Sequence, residues 1–338
     1  MCDISIVIPC RNEKQYISKC LDSFIESDFD NDNMEILVID GESDDGTIDI
    51  ANNYSEKYKF IKLISNKKRL TPFALNLGVL NAKNEYILIA SAHSSFPKNY
   101  ISKLLQKIVE LNADGIGGQL ITKVKNENKK SLSIIKVLSN KFGVGNSMFR
   151  LGVEEPTLVD TVPFGIYKKE LFNEIGFYRE DLIRNHDIEW SKRLISAKKK
   201  IYLIPDVSCN YYARETFSKL AKNNYGNGKW NLLTVYITKN FSSLSIRHFI
   251  PLFFLLSLII PLILSIFYFP IILLAALSLL SHFVLITLIS IKERDSKSSF
   301  LNILFAFYTL HLSYGFGSLI GLLMIDKLFT KKSDLQND

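Results

Sequence analysis

The chain has 338 residues, 47% of them hydrophobic and 22% charged, a composition that allows a full core and more than one structural unit and that excludes global disorder. The formal net charge of +7 suits nucleic acid, anionic lipid or a phosphorylated substrate, so the sign alone selects no partner. The four cysteines form no CxxC pair and no signal peptide precedes the first apolar run, which predicts a reducing, cytosolic environment.

Short apolar runs alternate with amphipathic segments along residues 3–112. The runs DISIVIP, EILVID, FIKLIS and EYILIAS are rich in β-branched residues and predict strands. Helices are predicted by the apolar spacing of EKQYISKCLDSFIES, GTIDIANNYSEKY, TPFALNLGVLNA and PKNYISKLLQKIVELN. This alternation is typical of an α/β fold with a mostly parallel sheet and helices on both faces.

Polar residues follow three of the predicted strands, where ligands bind in open parallel sheets. The first strand is followed by Arg11, Asn12 and Glu13, the second ends at Asp40, and the fourth is followed by residues 91–93, which read Ser-Ala-His. A dinucleotide-binding unit needs glycines in the first of these turns, and there are none. An oxidoreductase is therefore disfavoured.

The last third of the chain is strongly apolar. No charged residue occurs from Phe249 to Ile291, about twice the length of one membrane crossing, which predicts a helical hairpin with Pro270 at its turn. A further uncharged stretch covers residues 300–325. The flanking basic residues predict a cytosolic amino-terminal region and a cytosolic Lys292. The rule disfavours a third crossing, so that segment could cross, re-enter or lie along the interface; the alternative is a buried core helix.

Four motifs occur in the order VIPCRNE, VIDGESDDGT, LNLGVLNAKNEYI and NHDIEW. Together they resemble the family 2 glycosyltransferases, in particular the membrane-attached branch that builds bacterial exopolysaccharides such as succinoglycan. The resemblance covers roughly residues 3–230, and HLSYGFGSLIG, residues 311–321, is similar to the membrane tail of that branch. It implies a nucleotide-diphospho-sugar transferase (Rossmann-like) domain followed by transmembrane helices.

The same resemblance sets the expected domain boundaries. A cytosolic domain is expected over residues 1–230, with a nucleotide-binding half over about 1–120 and an acceptor half over 121–230. A juxtamembrane linker over 231–248, a membrane region over 249–326 and a polar tail over 327–338 follow.

By resemblance, the strand ends bind the nucleotide sugar, through Pro9, Asn12, Glu13, Asp40, Ser91 and Ala92. Asp40 would accept hydrogen bonds from a uracil-type base or from the ribose. Ordinary alternatives remain open: Asp40 could be a turn aspartate, and Asn12 or Glu13 could cap the following helix.

The turn at residues 91–93 falls where the family generally has an Asp-X-Asp motif that contacts the ribose and holds a divalent cation. The resemblance makes His93 the candidate metal ligand, for Mn²⁺ or Mg²⁺, but Ser91 replaces an expected aspartate. A serine hydroxyl is a poor ligand for hard cations, so metal affinity should be lowered. Three outcomes stay open: a metal held by His93, phosphates and water; a leaving group stabilised by basic side chains; or an inactive protein.

The candidate catalytic base is Asp187, which matches the aspartate of the family's Glu-Asp motif, with His186 in place of the usual neighbour. The alternative is an aspartate that caps the following helix. By resemblance, a single base with direct displacement would give inversion at the anomeric carbon. Contacts to the acceptor or the diphosphate are expected from Gly165, Glu189, Trp190, Lys229 and Trp230, the last two in a predicted mobile loop, NNYGNGKWN, for which a plain linker is the alternative.

These expectations combine into an inverting, hexosyltransferase-like enzyme at the inner (plasma) membrane, multi-pass, with a cytoplasmic catalytic domain. Its predicted partners are a nucleotide-diphosphate sugar, UDP-linked by preference, a polyprenyl-diphosphate-linked glycan and membrane lipid, but no nucleic acid. The alternatives are a polyprenyl-phosphate sugar synthase and a membrane scaffold that retains the fold without catalysis.

Overall fold

The computed structural model describes residues 3–241 and 244–324. Within them the chain forms two compact units. The first comprises the residues up to Lys123 together with Met148–Tyr212, and the second comprises Val124–Ser147 together with the residues from Ala213 onwards. This division differs from the expected boundaries, because residues 124–147 and 213–230 belong to the unit that contains the apolar helices.

The first unit is built on a sheet of strand order β3-β2-β1-β4-β8-β6-β9-β5, with β7 paired to β9. The strands are β1 Ile4–Cys10, β2 Met34–Asp40, β3 Ile61–Ser65, β4 Tyr86–Ile89, β5 Ser94–Ser95, β6 Gly115–Lys123, β7 Thr157–Leu158, β8 Ile166–Lys168 and β9 Ile201–Tyr212. The long pairings, β1 with β2 and β4, β2 with β3, and β6 with β9, are parallel. Short antiparallel pairings connect β8 to β4 and β6. The predicted mostly parallel α/β sheet is confirmed.

The first four helices follow the predicted order. The α-helices of the described residues are α1 Ile17–Ile25, α2 Thr47–Lys57, α3 Thr71–Asn81, α4 Tyr100–Glu110, α5 Lys129–Leu138, α6 Lys141–Val144, α7 Met148–Leu151, α8 Glu170–Ile175, α9 His186–Ser196, α10 Phe217–Thr238, α11 Ile250–Leu264, α12 Ile272–Glu293 and α13 Phe300–Leu323. Of these, α5, α6 and α10–α13 lie in the second unit.

Strand β1 contributes to a core on each face of the sheet. Ile4, Ile6 and Ile8 pack with apolar residues of α1 and α4, whereas Val7 packs with Leu75 and other residues of α3. Successive side chains of a strand point to opposite faces, so a strand buried on both faces is apolar throughout. The carboxyl end of β1 is thereby fixed between two helical layers.

Three segments of the second unit are long and apolar enough to cross a membrane: Ile246–Leu264, Phe269–Glu293 and Phe300–Leu323. The first two form the predicted hairpin, and Pro270 lies in the turn between α11 and α12 within a short 3₁₀ helix, Phe269–Ile271. The third is the most buried of the three, because α13 packs along α10.

The prediction of a mobile loop at NNYGNGKWN is wrong, because these residues lie inside α10. Gly228 serves close packing instead, since a Cβ at this position would overlap the carbonyl oxygen of Tyr314 on α13. Small residues that let two helix backbones approach are typical of apolar helix pairs. The expected linker over 231–248 likewise begins within α10 and ends in a 3₁₀ helix, Ile246–Phe249. The expected tail over 327–338 lies outside the described residues.

Candidate active site

A cleft of about 210 Å³ opens at the carboxyl ends of the parallel strands in the first unit. It is lined by residues at or after the ends of four strands: Pro9, Cys10, Arg11 and Glu13 at the end of β1 and beyond it, Gly41 after β2, Asn66, Arg69, Leu70, Thr71 and Ala74 after β3, and Ser91 and His93 after β4. This is the edge at which open parallel sheets bind ligands. Pro9, Glu13, Ser91 and His93, predicted from the sequence, therefore share one cleft.

His93 and Glu13 form the central polar pair of the cleft. The His93 Nδ1 atom lies 2.9 Å from Glu13 Oε1, and both side chains are about one-fifth exposed. The Ser91 hydroxyl lies 3.3 Å from His93 Nδ1. The cleft thus offers one carboxylate, one imidazole and one hydroxyl close together.

Asp40 lies behind the cleft surface. It is buried, its Oδ2 accepts a hydrogen bond from the Ser43 amide at 2.9 Å, and its Oδ1 accepts one from the Ser43 hydroxyl at 2.5 Å. Asn12 has φ +57° and accepts a hydrogen bond from the Asp44 amide at 3.0 Å. These contacts fix the loop after β2, and the nucleotide-binding roles of Asp40, Asn12 and the buried Ala92 stay predictions.

The cleft carries two cations, Arg11 and Arg69, to which the sequence analysis assigned no role. Arg11 lies over Gly41, where a Cβ would stand 3.3 Å from its Cδ. Arg69 donates from Nε to Glu42 at 2.6 Å. Two guanidinium groups beside one carboxylate suit a phosphorylated ligand. The strand-end rule could have found Asn66 and Arg69 as well, because both follow β3.

Asp187 lies in the first turn of α9, after Asn185 in a left-handed conformation with φ +61°. It is exposed, and none of the described residues forms a hydrogen bond or ion pair with its carboxylate. Burial, and then the charge of Asp187, raise the pKa of Tyr167. Asp187 is not among the described residues that line the cleft, so its role as a base stays a prediction.

The neighbours of Asp187 make structural contacts. Burial lowers the pKa of His186, whose Nδ1 has no hydrogen-bond partner among the described residues. Glu189 is buried and accepts from Arg193 Nε at 2.9 Å. Trp190 is stacked on Phe172 at 4.5 Å between ring centroids. These packing contacts account for Glu189 and Trp190 without a substrate.

The remaining predicted acceptor residues are not among the described residues that line the cleft. Gly165 is buried beside β4, and its carbonyl oxygen accepts from the Ile89 amide at 3.1 Å. Lys229 and Trp230 are buried within α10 of the second unit. Substrate contacts of all three stay predictions.

The site offers limited ligands for a divalent cation. Within residues 3–241 and 244–324, no group of three or more His, Cys, Asp or Glu side chains could hold a metal ion. Glu13 and His93 supply one carboxylate and one imidazole, which is enough where substrate phosphates complete the coordination, as is common for Mg²⁺. A cation held jointly with a diphosphate therefore fits the residues present, whereas an all-protein metal site does not.

Comparison with known proteins defines the class. The family model for glycosyl transferase family 2 matches residues 5–176. The chain is 34% identical, over 93% of its length and 95% of the relative's, to a dolichyl N-acetyl-alpha-D-glucosaminyl phosphate 3-beta-D-2,3-diacetamido-2,3-dideoxy-beta-D-glucuronosyltransferase of Methanococcus voltae. It is 27% identical to succinoglycan biosynthesis protein ExoA of Rhizobium meliloti, over 66% of this chain and 67% of that protein.

A solved structure supports the fold. A mannosyltransferase from Pyrobaculum calidifontis in complex with GDP-Man and Mn²⁺ superposes with a TM-score of 0.59 at 15% identity, over 96% of this chain and 89% of that one. The chain belongs to glycosyl transferase family 2. It is a glycosyltransferase, as its motifs predicted.

Proposed function

We propose that the enzyme transfers a sugar from a nucleotide-diphosphate donor to a lipid-linked glycan, with inversion at the anomeric carbon. One observation carries this proposal: the similarity to a transferase named for a dolichyl-phosphate-linked acceptor extends over 93% of the chain. It therefore includes the apolar helices as well as the cleft. A lipid-linked acceptor gives those helices a purpose, because they would anchor the enzyme at the surface where such an acceptor resides.

The donor would bind in the cleft at the strand ends. The two guanidinium groups suit its diphosphate, and the edge of the sheet is the usual ligand position. UDP is the preferred nucleotide by resemblance. A donor panel must include GDP-sugars, because the mannosyltransferase of similar fold binds GDP-Man.

Asp187 would act as the base. It takes the proton of the acceptor hydroxyl while the hydroxyl oxygen bonds to the anomeric carbon, and the bond between that carbon and the diphosphate oxygen breaks. The nucleoside diphosphate leaves with the bonding electrons. One displacement on the face opposite the leaving group inverts the configuration. The exposure of Asp187 in the first turn of α9 supports this role, because an incoming hydroxyl can reach its carboxylate.

Glu13 and His93 would hold a divalent cation together with the donor diphosphate. Bound there, the cation supplies positive charge that stabilises the leaving group. Ser91 adds a hydroxyl 3.3 Å from His93 and no charge. We therefore propose a cation requirement with weak affinity.

We further propose a multi-pass protein of the plasma membrane with a cytosolic catalytic unit. Lys292 and Arg294, beside the end of α12, would be cytosolic by the positive-inside rule. Single cysteines at Ser296 and Tyr268 test this with an impermeant thiol reagent on intact cells. Labelling at Tyr268 alone supports the topology, and labelling at Ser296 contradicts it.

A transfer screen with detergent-purified protein tests the function. Labelled UDP-, GDP- and dTDP-sugars are offered with Mn²⁺ or Mg²⁺ and three acceptors: polyprenyl phosphate, a polyprenyl-phosphate-linked sugar and a polyprenyl-diphosphate-linked glycan. Transfer to a lipid-linked sugar or glycan supports the proposal. Transfer to plain polyprenyl phosphate alone would make the enzyme a polyprenyl-phosphate sugar synthase, and no transfer from any donor would favour the scaffold.

A further inference from the structure

Arg150, on α7, is a mostly buried cation that has no anionic partner among the described residues. Its Nη1 donates to Thr122 Oγ1 at 2.9 Å. Its Cζ lies 5.4 Å from the ring centroid of Tyr211 and 5.7 Å from that of Phe149. No carboxylate of the described residues forms an ion pair with it. The fold therefore holds a guanidinium group against two rings and one neutral hydroxyl.

This arrangement is costly for the protein alone. An arginine stays charged in proteins, and a mostly buried charge without an anionic partner is unfavourable even after the surroundings relax. Burial lowers the pKa of Arg150, which reports the same penalty. Contacts with aromatic faces offset only part of this cost. Among the described residues, no anion supplies the rest.

The ring of Tyr211 connects Arg150 to the candidate active site. The ring of Tyr211 lies 5.2 Å from that of His93, between centroids, so His93 and Arg150 contact the same ring. Ser94 pairs with Tyr211 between β5 and β9, and the Tyr212 amide donates to the His93 carbonyl oxygen at 3.1 Å. The strand pairing therefore fixes Tyr211, and with it the spacing of Arg150 from the cleft.

We propose that Arg150 binds a phosphate group of a substrate beside His93. This inference rests on the proposed function, because the reaction brings two such groups to the site: the diphosphate of the donor and the phosphate that joins the acceptor glycan to its lipid. Both present phosphate oxygens that a guanidinium group binds in a bidentate manner. The substrate phosphate then supplies the negative charge that compensates the guanidinium group of Arg150.

Binding to purified full-length protein tests the proposal. The variants are Arg150→Gln and Arg150→Lys, and the matched control is Lys19→Gln, since exposed Lys19 lies 4.9 Å over the neighbouring ring of Tyr212. The probes are UDP and GDP for the donor and farnesyl phosphate for the lipid phosphate. R150Q should weaken at least one probe about tenfold or more, a change equivalent to about 1.4 kcal/mol. R150K should lose less, because it keeps the charge but not the bidentate geometry, and K19Q should bind as the wild type.

The probes distinguish the two sources of phosphate. Weaker nucleotide binding by R150Q identifies the donor diphosphate as the group that Arg150 binds, and weaker farnesyl phosphate binding identifies the acceptor phosphate. Unchanged affinity of folded R150Q for every probe overturns the inference; where R150Q does not fold, unchanged affinity of R150K overturns it. The thermal midpoint of the free protein should not fall in R150Q, because an uncompensated charge is removed.

The same data separate failure of this inference from failure of the function. A wild-type enzyme that transfers sugar, with R150Q binding as tightly as the wild type, defeats the inference and leaves the function standing. A wild-type protein that binds no probe and transfers no sugar defeats both.

Discussion

The His93–Glu13 pair determines what the cleft can hold. In the proposed cation site, a carboxylate and an imidazole 2.9 Å apart would supply two ligands, and the hydroxyl of Ser91 would add a weak third. The family motif would place a second carboxylate at position 91. The residue at that position would therefore set how much the proposed site depends on substrate phosphates to complete the coordination.

Ser91→Asp should strengthen cation binding. The new carboxylate would stand beside Glu13 and His93, so half-maximal activity should need at least about tenfold less Mn²⁺. Titration of transfer activity with Mn²⁺ after chelation measures this, with Ser91→Ala as the matched control. An identical cation response in S91D and the wild type would show that this turn does not face the diphosphate.

His186 should make the enzyme sensitive to acid. Burial is the main cause of its lowered pKa. Below the ordinary histidine pKa of about 6.5, the unfolded chain therefore binds a proton at this residue, whereas the native state does not. Stability therefore falls as pH drops through that window, by about 1.4 kcal/mol per unit of depression. The thermal midpoint of His186→Asn should fall less than that of the wild type between about pH 8 and pH 5. An equal fall in the thermal midpoints of His186→Asn and the wild type would contradict the assignment of His186 as the acid-sensitive group.

At the scale of elements, α10 and α13 depend on glycine for their contact. A Cβ at Gly317 would overlap the carbonyl oxygen of Tyr225, and one at Gly321 that of Lys229. The obstructing atoms belong to the backbone, so no change of rotamer relieves the overlap. These glycines allow α13 to pack against its neighbour rather than stand alone in lipid.

Gly317→Leu should destabilise the second unit. Overpacking costs about 1–3 kcal/mol where side chains can adjust, and here the backbone would have to move. Thermal unfolding in detergent measures the effect. Phe316→Leu is the matched control, because Phe316 is 47% exposed on the same helix and should unfold near the wild-type temperature. A G317L protein as stable as F316L would exclude the close contact.

The elements that the sequence predicted well are those governed by local periodicity. The first four strands and helices follow from apolar spacing, because each buries its own apolar face against the sheet. The prediction for residues 223–231 failed because Gly228 serves contact with a helix that comes about 90 residues later, and no local signal distinguishes that use of a glycine from flexibility.

At the site, too, residues with a local sequence signal could be predicted, and residues that meet only through distant contacts could not. Glu13, Ser91 and His93 were found because each follows a strand, and Asn66 and Arg69 obey the same rule. Arg150 and Tyr211 could not be found this way. They lie far apart in sequence and meet through the pairing of β5, β6 and β9.

At the scale of the whole molecule, the proposed reaction needs groups from distant parts of the chain. The cleft residues lie between positions 9 and 93, whereas the proposed base follows about a hundred residues later, in the first turn of α9. Because Asp187 does not line the cleft among the described residues, removing its carboxylate should leave donor binding intact. It should abolish the step in which the acceptor loses its proton.

The rate of sugar transfer by Asp187→Asn tests the central claim most directly. The account predicts a fall in kcat of at least about 100-fold, typical of a lost general base, with the donor dissociation constant unchanged. Asp206→Asn, which alters an exposed aspartate on β9, should transfer at the wild-type rate. Transfer by folded D187N at the wild-type rate would contradict the account.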